Sequence, residues 1–281
     1  MTADHWLRAA TATLQTAGIG TARLDALVLL EDVTGHDRAW LLAHPDHPLA
    51  PAEAAKLTKL LKRRARHEPL AYVRGRTEFY GRNFVITPAV LEPRPESETM
   101  IDLLRRLPGV RKSGSSGSKT LRIADVGAGS GALGITAELE LKTTQKVAVD
   151  LLEIDPEAAK IAQSNVENHT TKSRVTQSDL LEQSPRDYDL LLCNLPYVPD
   201  NHTVNQAALH EPRLAIFGGP DGLDVYRRLC QQIAALHKQP LYILTESLPP
   251  QHGALQQIAA AAGYKLITTD DFIQVYGFGG Q

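Results

Sequence analysis

The chain has 281 residues, of which 43% are apolar and 22% are charged, a composition typical of a folded protein with a substantial core. The formal net charge is only −2, which argues against a protein that coats nucleic acid. The two cysteines, Cys193 and Cys230, form no disulfide framework, and no stretch has the pattern of a signal peptide or a membrane span, so we expect a cytoplasmic protein that does not bind membranes.

Residues 1–76 are predicted to form a domain of helices. Thr2 caps a Leu/Ala-rich helix, a second helix ends at Gly35, and Pro51 opens a third with an acidic first turn. The basic run "KRRARH" that follows is interpreted as a solvated helix end that complements the helix dipole. The segment is too small and polar to carry a catalytic centre, so we interpret it as a substrate-recognition domain.

Residues 77–91 are predicted to form a β-hairpin between two domains. Phe79 and the later "FVI" flank a turn around Gly81, which is the pattern of two short strands. Residues 92–281 form the second predicted domain. Within it, "RKSGSSGSK" (residues 111–119) is polar and rich in glycine and serine, which is typical of a flexible surface loop.

The second domain alternates short apolar runs with amphipathic helices. The apolar runs are "LRIADV", "VAVDLLEI", "YDLLLCN" and "PLYILTE". This alternation predicts an α/β, Rossmann-like fold with a mostly parallel sheet that is covered on both faces. The final stretch, with a turn at Asp270 and Asp271, predicts two further strands that form an antiparallel edge.

The loop after the first of these strands has the features of a ligand site. In "ADVGAGSGALGI", Gly127, Gly129 and Gly131 permit a tight turn and close approach of a ligand to a helix N-terminus. Ala128 lies within this loop and is included in the predicted site. The second strand ends at Glu153, whose carboxylate is placed to accept hydrogen bonds from a ribose diol. An ordinary strand-to-helix turn and a solvated carboxylate are the alternative interpretations.

The chemistry of this loop distinguishes two classes of cofactor. A nicotinamide enzyme uses G-x-G-x-x-G to bind a diphosphate, whereas here G-x-G-x-G follows Asp125, which repels a diphosphate and attracts an ammonium group. S-adenosyl-L-methionine carries an ammonium group, a sulfonium and a ribose but no phosphate. After the third strand, Asp179 is placed to accept from the adenine amino group, with Leu180 beside it. The sequence therefore favours S-adenosyl-L-methionine over a dinucleotide.

The fourth strand ends in "CNLPY", which is predicted to hold a methyl acceptor. The Asn194 amide oxygen and the Leu195 backbone carbonyl offer two acceptors that grip both hydrogens of a planar NH2 group. This contact enriches a nitrogen that is otherwise a poor nucleophile because its lone pair is delocalised. Pro196 favours an extended Leu195, and Tyr197 supplies a flat wall for a planar acceptor. Asn194 also faces the cofactor in this arrangement; an ordinary strand-end turn is the alternative.

With these motifs the chain resembles the HemK/PrmC-type release factor glutamine methyltransferases over nearly its whole length. "NLPY" is similar to the N-P-P-Y motif of that family, and "EPLAYVRGRTEFYGRNFVI" is similar to its interdomain hairpin. "LEPRPESE" resembles its I-P-R-P-x-T-E segment, and "EPRLAIFGGPDGLDVYRRL" resembles the segment after its catalytic motif. The hairpin and the R-P-x-x-E segment are more specific than the glycine loop, which many methyltransferases share.

The resemblance implies a class I methyltransferase fold and a protein substrate. Members of the family methylate the side-chain amide of the glutamine in the Gly-Gly-Gln motif of class I peptide chain release factors. The same reaction is therefore implied here, with Asn194 and the Leu195 carbonyl holding the amide and the N-terminal helices docking the release factor. The matching segments also imply that Phe79, Arg94 and Glu211 contact the substrate. A monomer that uses no metal and forms no stable complex with nucleic acid is expected.

Leu195 departs from the family pattern, because a proline stands there in N-P-P-Y. N-L-P-Y is also the motif of dimethyladenosine rRNA methyltransferases, so an adenine N(6)-methyltransferase acting on RNA or DNA is an alternative. Those rRNA enzymes resemble neither this hairpin nor this helical N-terminus. A non-catalytic module that has kept the fold is a second alternative, which the retention of Asp125, Glu153 and Asn194 argues against. The terminal Gly-Gly-Gln, residues 279–281, is interpreted as a coincidence in a glycine-rich terminus, with self-occupation of the active site as the alternative.

Overall fold

The computed structural model describes residues 1–110 and 120–279. The loop predicted at residues 111–119 and the last two residues of the Gly-Gly-Gln ending lie outside the described residues. The chain divides into two units, one of residues 1–76 with 204–210 and one of residues 77–203 with 211–281. The domain limits expected from the sequence remain a prediction.

The N-terminal region is helical, as the sequence predicts, and its helices lie between Ala3 and Arg74. The Thr2 hydroxyl accepts a hydrogen bond from the His5 N–H (3.3 Å), and Gly35 ends the second helix at a φ of 74°. Two of the helices are too short to show an apolar period, and for this reason the sequence does not predict them. The helices are α1 (Ala3–Thr16), α2 (Ala22–Thr34), α3 (Arg38–Ala43), α4 (Pro51–Arg64) and α5 (Leu70–Arg74).

This helical unit has a core of its own, and its basic helix end takes part in the packing. Trp6, Leu29 and Leu57 are buried in the core. Arg64 donates to the buried Asp25 carboxylate at 2.6 Å, and its side chain is only 13% exposed. The prediction of a solvated "KRRARH" end is therefore wrong for this arginine, because its guanidinium pairs with a buried charge of α2 that needs a partner.

The β-hairpin predicted after this unit is present as β1 (Arg76–Phe79) and β2 (Arg82–Val85). The two residues between the strands, Tyr80 and Gly81, have φ angles of 51° and 70°, as a type I′ turn requires. The buried Asn165 side chain accepts from the Val85 N–H (2.8 Å) and donates to the Val85 carbonyl (2.9 Å). Its amide also donates to the carbonyl of Ser130 (2.9 Å), so one side chain joins the hairpin to the glycine loop.

The larger unit is an α/β structure whose strands and helices alternate as predicted. Its remaining strands are β3 (Leu121–Val126), β4 (Val147–Glu153), β5 (Arg174–Gln177), β6 (Leu190–Cys193), β7 (Tyr242–Glu246), β8 (Tyr264–Asp270) and β9 (Ile273–Phe278). Its helices are α6 (Glu98–Arg106), α7 (Ala132–Leu141), α8 (Pro156–Asn168), α9 (Arg213–Ile216), α10 (Asp224–Ala234) and α11 (His252–Ala261).

The strands form one seven-stranded sheet in the order β5-β4-β3-β6-β7-β9-β8. The first five in this order are parallel, whereas β9 pairs antiparallel with both β7 and β8, which confirms the antiparallel edge. Leu190 and Leu192 pack into the core on one face of the sheet, and Leu191 and Cys193 pack into the core on the other. Both faces are therefore covered, as continuous apolar strands predict. Among the described residues, no helix has the length and apolar character needed to cross a lipid bilayer.

The strand order indicates where a ligand would bind at the sheet. From β3 the chain proceeds outward through β4 to β5 and then returns to β6 on the other side of β3, so β3 and β6 flank the point where the order reverses. The two strands pair in register from Ile123 with Leu190 to Val126 with Cys193. Their carboxyl ends are neighbours, and ligands of open α/β sheets bind at this position.

Candidate active site

The glycine loop connects β3 to α7. Gly127, Gly129 and Gly131 all have positive φ angles, of 72°, 54° and 77°. A Cβ on Gly131 would lie 2.9 Å from a methyl group of Leu151, so a larger residue there would push the loop away from the sheet. The Ala128 N–H donates to the Leu152 carbonyl at 3.0 Å, which anchors the loop to the end of β4.

Two carboxylates stand behind this loop, and both are buried. Asp125, 2% exposed, accepts from the N–H of Gly134 in the first turn of α7 (2.8 Å). Burial raises the pKa of Asp125 to about 7 in spite of that hydrogen bond. Glu153 accepts from the N–H groups of Gly129 (2.7 Å) and Asp155 (2.9 Å). Burial also raises the pKa of Glu153, and these backbone hydrogen bonds oppose the rise.

The loop after β5 carries the predicted adenine contact. Asp179 is partly exposed and accepts from the Arg228 guanidinium through one oxygen, at 2.5 Å. The next residue, Leu180, is buried and has a φ of 55°. Arg228 belongs to α10, and its ion pair with the predicted adenine acceptor has no signal in the local sequence around either residue.

Two neighbouring cavities lie at this edge of the sheet and contain most of the predicted residues. The larger encloses about 810 Å³, counting space that is open to solvent. Its wall includes Gly127, Gly129, Glu153, Asp179, Leu180, Asn194, Leu195 and Pro196. The smaller, of about 420 Å³, is lined by Phe79, Ser97, Asp125, Ala128, Gly129 and Asn194 among others. Asn194 borders both cavities, so the residue predicted to hold the acceptor lies beside the predicted cofactor residues.

Asn194 follows β6 directly, and its amide is held by residues distant in sequence. Its Nδ2 donates to the Ser97 hydroxyl at 2.9 Å, and this hydroxyl donates to a carboxylate oxygen of Glu246 at 2.6 Å. Glu246 is the last residue of β7 and is 1% exposed. Tyr197 donates its phenolic hydrogen to the other oxygen of Glu246 at 3.0 Å. Burial raises the pKa of Tyr197, so its hydroxyl keeps its proton at neutral pH.

The backbone beyond Asn194 is held by close contacts with a glycine-rich segment. Any Cβ on Gly218 would lie 2.3 Å from the Pro196 carbonyl oxygen, and one on Gly222 would lie 2.1 Å from that of Tyr197. The Gln251 side chain donates to the Tyr197 carbonyl at 2.8 Å. The "NLPY" loop is therefore clamped through its main chain, and residues larger than glycine cannot replace these two glycines without moving it.

Leu195 is buried, at 2% exposure, and packs towards the glycine loop. A Cβ on Gly127 would lie 2.9 Å from one of its methyl groups. The Leu195 N–H donates to the Tyr226 hydroxyl at 3.4 Å, a contact that a proline cannot make. In the part of the chain that the structure describes, no donor reaches the Leu195 carbonyl oxygen or the Asn194 amide oxygen.

The three predicted substrate contacts are not gathered at one place. Phe79 is 1% exposed, packs against Phe84 in the core and reaches the smaller cavity. Arg94 pairs with Glu211 at 2.6 Å and lines neither cavity. Burial raises the pKa of Glu211, and the Arg94 charge opposes the rise. Arg94 and Glu211 therefore form an ion pair with each other. A role in substrate binding remains a prediction for Phe79, Arg94 and Glu211.

Sequence reasoning missed Ser97, Glu246 and Tyr226. Glu246 ends the strand "PLYILTE" as Glu153 ends "VAVDLLE". An acidic residue at the end of a buried strand could therefore have indicated Glu246 as a site residue. The sequence around Ser97 and Tyr226 gives no comparable indication, because the hydrogen-bond partners of these two residues lie far away in the chain. Cys193 is buried within β6, and burial raises the pKa of its thiol. Among the described residues, no group of three or more His, Cys, Asp or Glu side chains could hold a metal ion.

Two family models match the chain. The "PrmC N-terminal domain" model covers residues 5–75 and the "Methyltransferase small domain" model covers residues 110–211. The first match corresponds to the helical unit, and the second spans both the glycine loop and the "NLPY" loop.

Curated relatives match over most of the chain. A "Release factor glutamine methyltransferase" from Coxiella burnetii is 34% identical over 251 residues, which are 88% of this chain and 87% of that protein. A protein of the same name from Moorella thermoacetica is 35% identical over 269 residues, 94% of this chain and 91% of its own. The similarity therefore extends through the helical unit, the hairpin and the sheet.

Solved structures share the fold at low sequence identity. The hMettl16 catalytic domain in complex with the MAT2A 3'UTR hairpin 6 has a TM-score of 0.53 at 14% identity and covers 88% of this chain and 94% of its own. A methyltransferase from Pyrococcus furiosus has a TM-score of 0.50 at 15% identity and covers 83% and 100%. At these identities the likeness shows a methyltransferase fold and nothing about the substrate.

Proposed function

The chain belongs to the release factor glutamine methyltransferase family, and we propose that it transfers a methyl group from S-adenosyl-L-methionine to the side-chain amide of a glutamine. The proposed glutamine is that of the Gly-Gly-Gln motif in class I peptide chain release factors. The observation that carries the proposal is the position of Asn194. Its amide borders both the cavity behind the glycine loop and the larger cavity beside Glu153.

The residues around the larger cavity fit S-adenosyl-L-methionine. Glu153 at the end of β4 and Asp179 in the loop after β5 offer acceptors for the ribose diol and the adenine amino group, between apolar walls that include Leu180 and Leu195. Asp125 borders the smaller cavity and offers a carboxylate to the ammonium group. Such a set of acids suits a cationic ligand and would repel a diphosphate. When bound, the cofactor supplies an electrophilic methyl group on a positively charged sulfur.

The acceptor loop would hold and orient the glutamine amide. The Asn194 amide oxygen and the Leu195 carbonyl accept one hydrogen each from the substrate NH2 group and so enrich its nitrogen. Fixing that nitrogen in line with the methyl group lowers the barrier through orientation. The main-chain clamp around Pro196 and Tyr197 keeps these two acceptors at a constant separation. No side chain has to remove a proton before the methyl transfer, because the proton leaves from the cationic product afterwards.

Leu195 does not weaken the proposal, because the loop uses its carbonyl oxygen. The leucine side chain is buried, packs against the glycine loop and contributes to the wall of the larger cavity. The N-L-P-Y motif nevertheless makes adenine in RNA the acceptor against which the proposal should be tested. The helical unit matched by the PrmC N-terminal domain model supports a protein acceptor.

The test is a methyl-transfer assay with two possible acceptors in parallel. The purified chain is incubated with S-adenosyl-L-methionine labelled in its methyl group and with either a recombinant class I release factor or ribosomal RNA. We expect label on the release factor, placed on the motif glutamine by tandem mass spectrometry, and none on a release factor whose motif glutamine is replaced by alanine. Label on RNA without label on the release factor would overturn the proposal.

A further inference from the structure

We propose that Ser97 and Glu246 are positioning residues that fix which end of the Asn194 amide faces the acceptor. The inference deepens the function proposed above and rests on it for the role of Asn194. These residues come from three separate elements: Ser97 precedes α6, Asn194 follows β6 and Glu246 ends β7. Their side chains form a single chain of hydrogen bonds that we call the amide relay.

An asparagine amide has two ends of similar shape and opposite chemistry. Its oxygen accepts hydrogen bonds and its nitrogen donates them, so a rotation of 180° about the last side-chain bond exchanges the two functions. With the nitrogen towards the substrate, Asn194 would present hydrogens to the hydrogens of the NH2 group that it is proposed to hold. The proposed chemistry therefore needs one of the two orientations and is blocked by the other.

Glu246 sets the direction of the relay because an ionised carboxylate can only accept. Its two oxygens receive the Ser97 hydroxyl at 2.6 Å and the Tyr197 hydroxyl at 3.0 Å, so each oxygen has a donor. The shorter distance is typical of a hydroxyl bound to a charged carboxylate. Burial raises the pKa of Glu246, whereas these two hydroxyl groups and the Arg94 charge oppose the rise; the Glu96 charge adds to it.

Ser97 passes this direction to Asn194. A serine hydroxyl has one hydrogen, and that hydrogen is engaged with Glu246, so towards Asn194 the serine can only accept. At 2.9 Å from the Ser97 oxygen, the amide must therefore present its nitrogen. The amide oxygen then lies on the opposite side, away from Ser97. Ser97 is 3% exposed and Glu246 is 1% exposed, so both side chains are largely shielded from bulk solvent.

The first test observes the Asn194 side-chain NH2 group by NMR in 15N-labelled protein, without any substrate. Its pair of resonances is assigned by its loss in Asn194→Ala. In Ser97→Ala, which removes the acceptor, we expect these resonances to shift and their hydrogens to exchange faster with water. Ser97→Thr keeps the hydroxyl and should keep the native resonances. Glu246→Gln should also shift them, because a glutamine amide donates as well as accepts and leaves the Ser97 hydrogen free to turn.

The second test measures methyl transfer by the same variants. We expect kcat to fall roughly 10- to 100-fold in Ser97→Ala and Glu246→Gln, since a misoriented reacting group costs about that much. The Kd for S-adenosyl-L-methionine and the KM for the release factor should stay within about threefold, and Ser97→Thr should recover kcat. Because both residues act through one amide, the double variant should be no slower than the worse single one.

Glu138→Gln is the matched control. Glu138 is also a buried acid, 6% exposed, and it accepts a serine hydroxyl at 2.5 Å, from Ser173. Its replacement also changes a buried carboxylate that holds a serine hydroxyl, and it should leave both the Asn194 resonances and kcat unchanged. If Glu246→Gln fails to fold, the Ser97→Ala and Ser97→Thr pair decides the matter.

Two results would overturn the relay. One is a set of Asn194 resonances that Ser97→Ala and Glu246→Gln leave in place. The other is a kcat for both variants that equals the wild-type value. Failure of the proposed function has a different outcome, in which the wild-type chain does not methylate the release factor while the NMR test still reports the amide orientation.

Discussion

The two halves of this site are built in different ways. The cofactor half is built around one stretch of consecutive residues, because Asp125 in β3 is followed directly by the glycine loop and α7. The Glu153 carboxylate at the end of the neighbouring β4 accepts the N–H of Gly129 in that loop. The acceptor half depends on residues far apart in the chain, with 149 positions between Ser97 and Glu246. A site built around one loop is set mostly by neighbouring residues, whereas the acceptor half forms only when β6, β7 and the segment before α6 come together.

This difference explains what the sequence could predict. The glycines, Asp125 and Glu153 were predicted because strand, loop and helix follow one another, and each residue's neighbours indicate its surroundings. Asn194 was predicted because it ends an apolar strand, and the alternation of strands and helices predicted the sheet itself. Ser97, Tyr226 and the pairing of Asp179 with Arg228 could not be predicted, since each depends on which strands and helices become neighbours. The ion pair of Arg64 in the helical unit could not be predicted for the same reason, because its partner Asp25 is 39 positions away in the chain.

The largest effect should come from removing the side chain at which the two halves meet. Asn194→Ala should lower kcat/KM for methyl transfer by a factor on the order of 10²–10³, the usual loss when a group that stabilises the transition state is removed. The Kd for S-adenosyl-L-methionine, measured by calorimetry, should change by less than about threefold. Asn201→Ala, which truncates an exposed amide a few residues further along, is the control. A similar loss of cofactor binding would place Asn194 in the cofactor half instead.

A smaller effect should come from the charge of Asp125, which belongs to the cofactor half alone. Only the ionised carboxylate attracts an ammonium group, so affinity for S-adenosyl-L-methionine should fall as pH drops below the pKa of about 7. The expected loss is roughly tenfold for each pH unit. Asp125→Asn should bind weakly with little pH dependence over this window. Binding by the wild-type chain that does not change between pH 5 and pH 8 would contradict this role.

The same carboxyl should affect stability in the opposite direction. Its folded pKa is raised from 3.8 to about 7, so the stability that it contributes is complete below about pH 4 and is lost as pH rises to about 7. Asp125→Asn should therefore unfold at a higher temperature than the wild-type chain at pH 8, and the difference should vanish at pH 4. Thermal melts at the two pH values measure this. Equal melting temperatures at pH 8 would show that the buried charge is compensated in the folded chain.

The smallest effect on catalysis should come from Leu195, whose side chain touches the cofactor half and whose carbonyl serves the acceptor half. Leu195→Pro removes the N–H bond to Tyr226 and the packing against Gly127, so stability should fall by about 1–3 kcal/mol. Because the carbonyl remains, kcat should stay within about threefold. Leu195→Met, with a similar volume, should leave both quantities nearly unchanged. A tenfold loss of kcat in Leu195→Pro at full stability would show that the leucine itself shapes the acceptor site.

The position of β9 has a consequence for how the enzyme is made. The strand that carries Glu246 is completed on its outer side by β9, through the pairs from Tyr242 with Gly277 to Glu246 with Ile273. On the ribosome, residues 273–278 emerge last among the described strands, long after the parallel strands can begin to pair. Until then β7 has an open edge, and Glu246 lacks the neighbour that holds its strand end. The cofactor half can therefore form before β9 has left the ribosome, whereas the acceptor half is complete only once β9 has paired with β7.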